Sequence, residues 1–170
     1  MAATKNVKLD LYNKIKEVLE AEGTIKHVEH YNRQLQEVRN EKQTQYPRVL
    51  VQFSDIAWKH SEPRKNQSNV TQQQKGDIEV SLYIQMKSLK GDSESFAEHM
   101  DVVDTVYREM TLVKGDNWTP FQRIKETDDN DNNNVREWVV VFSTGVEELG
   151  VSADLTSKSV TVTINKDYVL

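Results

Sequence analysis

Apolar residues fall into short periodic stripes separated by long polar stretches, and the spacing of each stripe predicts an element. Over Lys5 to Glu22, positions Leu11, Ile15, Val18 and Glu22 mark one side of a helix with Leu19 beside them, and Gly23 is a natural stop. A strand is expected over Thr24 to His30, around Ile25 and Val28, then a short helical turn at Leu35 and Val38 before the polar run from Asn40 to Gln45. Tyr46-Pro47 introduces Val49, Leu50, Val51 and Phe53, a β-branched and aromatic run that reads as a strand ending near Trp58; its leading proline cannot donate to a ladder and suits a strand start. Ile78, Val80, Leu82, Ile84 and Met86 alternate with Glu79, Ser81, Tyr83 and Gln85, the period-two pattern of a strand with one buried face.

Asp92 or Ser93 can cap the next helix, in which Phe96, Met100, Val103, Tyr107 and Met110 recur at three- and four-residue steps as a predicted core stripe. Two strands follow, over Trp118 to Thr127 and Val135 to Ser143, as a hairpin whose tip is the Asp/Asn-rich run from Asp128 to Asn134. Val160, Val162 and Ile164 alternate with threonines and predict a last strand beyond an irregular connection from Gly150 to Ser157. The expected fold is α+β, mainly antiparallel, with two principal helices on one face of the sheet. Residues 1–149 form one domain, and 150–170 extend it with a further strand. Between Lys59 and Gly76 the sequence predicts a long polar loop, with Val70 its only aliphatic residue.

Composition narrows the chemistry. The 170 residues carry 22 basic and 27 acidic side chains, a net charge of −5, and no Lys/Arg cluster offsets it, which argues against gripping nucleic acid by neutralising phosphates. There is no cysteine, so disulfides, thiol catalysis and cysteine-ligated zinc are excluded. No apolar run approaches the ~20 residues that span a bilayer, and the first residues have no apolar signal-like segment, so neither membrane embedding nor export is expected.

Each candidate constellation has a simpler reading. His27 and His30 would share a face on a helix, as metal ligands need, but on a strand their odd spacing puts them on opposite faces. His60 and His99 acquire no nucleophile partner. Asp128 to Asn132 resembles the start of a calcium loop, yet counting from Asp129 the positions that need glycine and a bidentate glutamate hold Asn134 and Val140. The pairs Glu94 and Glu98, Asp128 and Asp129, and Glu147 and Glu148 lie in polar stretches as solvating charges. No phosphate-cradling glycine cluster is present. The expectation is therefore a protein without catalytic residues, cofactor or metal. The tryptophans carry more information: Trp138 suits core packing beside Val139 to Phe142, whereas Trp58 and Trp118 stand next to loops, where they can anchor a subunit interface.

The ordered segments resemble a known family. The N-terminal amphipathic helix, the strand Ile25-Lys26-His27-Val28, the strand Tyr46-Pro47-Arg48-Val49-Leu50-Val51-Gln52-Phe53 ending in Trp58, the polar loop with Gln72, Gln73 and Gln74, the alternating strand Asp77 to Met86 and the stretch Phe121 to Asp129 look like tail terminator and head–tail joining proteins of tailed bacteriophages. The similarity spans about Lys8 to Ser143, and the segment from Val151 to Leu170 is additional to it. The resemblance implies a virion protein, made in the host cytoplasm, that forms a homo-oligomeric ring, hexameric or dodecameric, at the neck or upper tail. Its implied partners are itself, the portal or connector and the tail tube, with DNA passing through the channel without sequence-specific binding. Candidate interface residues are Trp58, Trp118, Gln72, Gln73, Gln74, Val160, Val162 and Ile164. Asp128, Asp129 and Asp131 are candidates for a negatively charged lumen or loop tip. The alternative is a non-enzymatic assembly adaptor or binding module that does not stay in the particle.

Overall fold

A computed structural model describes residues 6–31, 45–59, 73–87, 93–132 and 135–149. Helix α1 runs from Val7 to Ala21. Asn6 caps it by accepting from the amides of Lys8 and Leu9 at 3.1 and 3.4 Å, and Gly23, at φ 74°, closes the other end in the left-handed conformation that a residue without a Cβ adopts most readily. Val7, Leu11, Ile15 and Leu19, spaced by four, are its buried stripe.

Strands β1 (His27–His30), β2 (Arg48–Phe53), β3 (Ala57–Lys59) and β4 (Gln73–Lys87) precede helix α2 (Ser93–Met110), and β5 (Gln122–Asn132) and β6 (Val135–Leu149) follow it. They form one six-stranded sheet in the order β1-β2-β4-β6-β5, with β3 also on β4. The β1–β2 pair is parallel and every other pair antiparallel. An α+β fold with a mainly antiparallel sheet is therefore what the chain adopts.

β2 and β3 lie end to end along one edge of β4. Phe53 faces Val80 and Ala57 faces Asp77, so three residues of the upper strand, Ser54 to Ile56, span only two of β4. That one extra residue is a bulge, pinned where the Ser54 amide donates to the Glu79 carbonyl and the Glu79 amide donates to the Ser54 hydroxyl.

The core lies between the helices and one face of the sheet. Ile78, Val80, Leu82, Ile84 and Met86 of β4 all point into it, with Val28, Val49, Val51, Val140, Phe142 and Val146 from neighbouring strands. α2 adds Val103, Val106 and Met110. Its observed inward stripe differs from the predicted one: His99, Val103, Val106 and Met110 are buried, whereas Phe96 and Tyr107 are 46% and 37% exposed and Met100 is half-buried. The sequence offers two overlapping helical stripes that share Val103 and Met110. Arg136 over the Phe96 ring at 5.0 Å and Arg123 over the Tyr107 ring at 4.3 Å hold those two aromatics on the rim, so the helix rolls toward the other stripe.

Three other boundaries moved. Both ends of the expected polar loop are strand instead, Lys59 in β3 and Gln73 to Gly76 in β4, and residues 60–72 lie outside the described residues. β5 starts at Gln122 instead of Trp118, which makes only isolated bridges to Gly115 and Val146. The hairpin strands run on to Asn132 and from Val135, so Asp128, Asp129 and Asp131 sit in β5 and not in a turn. Short Asx side chains favour turns locally, but pairing with β6 gives Asp128 and Asp129 ladder partners in Trp138 and Glu137, and the Arg136 guanidinium bonds Asp128 at 2.6 Å across the hairpin.

Candidate interaction surfaces

The face of the sheet turned away from the helices is built from the polar half of each alternating strand. Leu50 lies there fully buried, with Glu29 as its register partner on β1 and Tyr83 on β4, and with Arg48 and Gln52 two residues away on its own strand. Tyr31 stacks on Tyr83 with ring centroids 4.6 Å apart and planes 14° from parallel, and the Tyr83 hydroxyl donates to Gln52 Oε1 at 2.6 Å. Beside this pair a charged network crosses three strands. Arg48 Nε donates to Gln85 Oε1, and Gln85 Nε2 donates to Glu137 Oε2, both at 2.6 Å. Gln85 is fully buried and Glu137 is 5% exposed, so the amide links a cation to a buried carboxylate.

Burial first, then the negative potential of Tyr31 and Glu137, pushes the Tyr83 phenol above its ordinary value of 10.0. The folded protein thus disfavours the phenolate. This contribution to stability is fully present below the unfolded value and is lost as pH rises through the folded one. Equilibrium unfolding should show stability falling above about pH 10, with a smaller fall in Tyr83→Phe. Equal falls in the two proteins would refute the assignment.

The two sheet edges are unlike. On β1, the outward-pointing backbone of Val28 is occupied by α1: its amide donates to Glu20 Oε1 at 3.1 Å, and its carbonyl accepts from the Tyr12 hydroxyl and from Lys16 Nζ, both at 3.3 Å. A strand of four residues with its central amide and carbonyl so engaged offers little to an incoming chain. β5 is different: its side chains from Gln122 to Asp128 are all exposed, Ile124 at 51%. Register shifts fall between Arg123 and Lys125 and between Asp129 and Asn132, which leaves Lys125 to Asp129 as its regular stretch.

The sequence-nominated residues do not converge on one place. Trp58 lies on β3 opposite Gly76, and Trp118 folds over Gly115; both are half-buried and packed against the core. A methyl group at Gly115 would fall inside the Trp118 indole. Gly115→Ala should therefore expel the ring at a cost of about 1–3 kcal/mol, read as a lower unfolding midpoint and a red-shifted tryptophan emission. An unshifted spectrum would count against this packing.

Trp138 packs partly against the core and donates from Nε1 to Glu126 Oε1 at 2.9 Å. Gln73 and Gln74 belong to β4 opposite Leu149 and Glu148. Gln72, His60, Val160, Val162 and Ile164 lie outside the described residues. His27 and His30 take opposite faces, as their spacing on a strand requires: His27 Nε2 lies 3.3 Å from Glu29, and His30 stands beside Tyr12 and Phe53. Among the described residues no three His, Asp or Glu side chains gather as a metal would need, and no helix is long and apolar enough to cross a membrane. Sequence reading missed the buried Gln85–Glu137 link. A faint signal exists, because Glu137 interrupts the apolar run from Val135 to Phe142.

No protein-family description matches the sequence, and no curated protein does. Solved structures do match; one is a chain of a structure titled "Virion of native gene transfer agent (GTA) particle", at 16% identity and a TM-score of 0.46, over 81% of this chain and 91% of that one. A likeness of that size assigns no function.

Proposed function

We propose that the protein is a structural component of a virion, assembling as a homo-oligomeric ring at the neck or upper tail, where it terminates the tail or joins it to the portal around the DNA channel. The observation that carries this reading is the unlikeness of the two ends of its sheet. A ring of identical subunits uses heterologous contacts between two different surfaces, and among the described residues this sheet has one edge closed by its own helix and ends on the other side at β5, whose side chains from Gln122 to Asp128 are exposed, so its two edges are unlike.

The sequence resemblance to tail terminator and head–tail joining proteins supplies the setting. Trp58, Trp118, Gln72, Gln73, Gln74, Val160, Val162 and Ile164 remain the proposed contact residues. For the two tryptophans it is the outer rim of the ring that is offered, since the remainder packs inward. Asp128, Asp129 and Asp131 give one strand a negative character that suits a channel wall which DNA passes without being held.

Light scattering on the purified protein, with electron microscopy of mixtures with tail tubes, tests the proposal. Closed rings or particles capped at one end are expected. A strictly monomeric protein that binds neither tubes nor portal would overturn it, and its absence from purified virions by mass spectrometry would favour an assembly adaptor instead.

A further inference from the structure

We infer that one end of the sheet is a flap that opens and closes as a unit about a line across the strands, at the rung where Ile78 of β4 faces Thr144 of β6. The flap comprises β3, Gln73 to Asp77 of β4, Gly145 to Leu149 of β6 and the segment Asn117 to Thr119. Its opening does not depend on the ring reading.

Every strand is irregular at that line. On one flank β2 gives way to β3, and Ser54 to Ile56 stand opposite only Ile78 and Glu79. On the other flank the pairing of Trp118 with Val146 gives way to that of Gln122 with Ser143, so Thr119 to Phe121 stand opposite only Gly145 and Thr144. Each flank thus carries one extra residue, and the two bulges share the rung of Ile78 and Thr144. The next rung outward pairs Asp77 with Gly145 and the one after it Gly76 with Val146, so both central strands have a glycine beside the line. A bulge bends a strand and interrupts its ladder, and glycine in a strand interior weakens it. Four strands interrupted at one level define an axis.

The hydrogen bonds beside the line tolerate rotation. On each flank one backbone bond remains, from the Ser54 amide to the Glu79 carbonyl at 2.9 Å and from the Thr119 amide to the Gly145 carbonyl at 2.8 Å. A regular antiparallel pair would return the second bond to a carbonyl. Here a hydroxyl takes it: the Glu79 amide donates to Ser54 Oγ at 3.0 Å, and the Gly145 amide to Thr119 Oγ1 at 2.8 Å. A hydroxyl on a rotatable χ1 follows its partner through a change of angle that a carbonyl fixed in a strand does not.

Outward of the line the flap is stitched within itself. Lys59 pairs with Asp77 and Lys75 with Glu147, and the Glu147 amide donates to the Asn117 carbonyl at 2.8 Å. Val146, Trp58 and Trp118 dock it on the core. Trp118 Nε1 is buried there and finds no acceptor among the described residues, so opening gains that donor a hydrogen bond to water.

Hydrogen–deuterium exchange of the full-length protein, read by peptide mass, tests the inference. The protected amides of Ala57–Lys59, Gln73–Asp77, Asn117–Thr119 and Gly145–Leu149 should share one rate, at least about tenfold faster than Val80–Met86 and Val139–Ser143. A rate that climbs gradually toward Gln73 and Leu149 would mean fraying ends, and a rate equal to that of Val80–Met86 would mean one cooperative sheet; either overturns the inference. Gly76→Ala gives a second reading. The added Cβ would stand 2.8 Å from Ile56 Cγ2 and 3.0 Å from both the Ala57 carbonyl and the Trp58 ring, a clash confined to the β3 side. All four segments should then exchange faster by the same factor, Asn117–Thr119 on the far flank included, with Val80–Met86 unchanged. Acceleration limited to β3 and β4, or extending into Val80–Met86, refutes the flap. If the variant does not fold, the exchange of the parent decides alone.

Discussion

Phe142→Ala should lower stability by about 3–5 kcal/mol, the usual cost of emptying a buried phenylalanine site that neighbours cannot fill. Phe142 is 1% exposed in the middle of β6, paired with Val80 of β4 on one side and Arg123 of β5 on the other. The Phe121 ring meets it edge-on, perpendicular at 6.3 Å, and Tyr107 of α2 stacks at 6.3 Å. The ring therefore ties the sheet's centre to α2 and to the segment entering β5. A chain of this length should lose about 6–20 °C in melting temperature, since each kcal/mol moves the midpoint by about 2–4 °C. Ile124→Ala, at a 51% exposed position, serves as the comparison and should stay within about 0.5 kcal/mol. A similar small loss in both would show that β6 does not pack as described.

Gln85→Leu is expected to cost about 2–4 kcal/mol, although leucine is no larger and more apolar. The amide is fully buried, and it is the group through which the Arg48 cation and the Glu137 carboxylate meet. Without it a carboxylate at 5% exposure loses a short donor, and breaking one member of a buried polar network costs more than the network contributes net. The same reasoning predicts the partner experiment: Gln85→Leu with Glu137→Leu should recover part of the loss, because the buried charge is removed and Arg48, only half-buried, can turn to water. Urea unfolding of the single and double variants measures this. A double variant less stable than Gln85→Leu by the full cost of a second core substitution would mean that the pair acts independently, contrary to the network.

Both experiments concern residues whose roles were unevenly legible beforehand. The alternation in β4 was plain because a period of two admits only one division of faces, and the inward set Ile78, Val80, Leu82, Ile84 and Met86 is as expected. In α2 periodicity admits two stripes, and the one with Phe96 and Tyr107 stays outside because a ring that bears a cation can remain on the rim of a core where an aliphatic side chain would be driven inside. Asp128 misled for a related reason: local turn preference says nothing about an arginine eight residues later that waits across the hairpin.

The candidate surfaces divide in the same manner. That the chain lacks thiols and glycine phosphate loops is a matter of composition, and that its C-terminal segment alternates Val and Thr between lysines is a matter of order; both are read directly from the residues. That Val28 is closed to pairing cannot be read there, because it depends on α1 laying Tyr12, Lys16 and Glu20, sixteen, twelve and eight residues away, against one amide and one carbonyl. Residue pattern determines which side chains a strand or helix turns inward, since periodicity is local. Only the tertiary structure decides which backbone edge remains unsatisfied, since hydrogen bonds are filled by whatever the fold brings within reach.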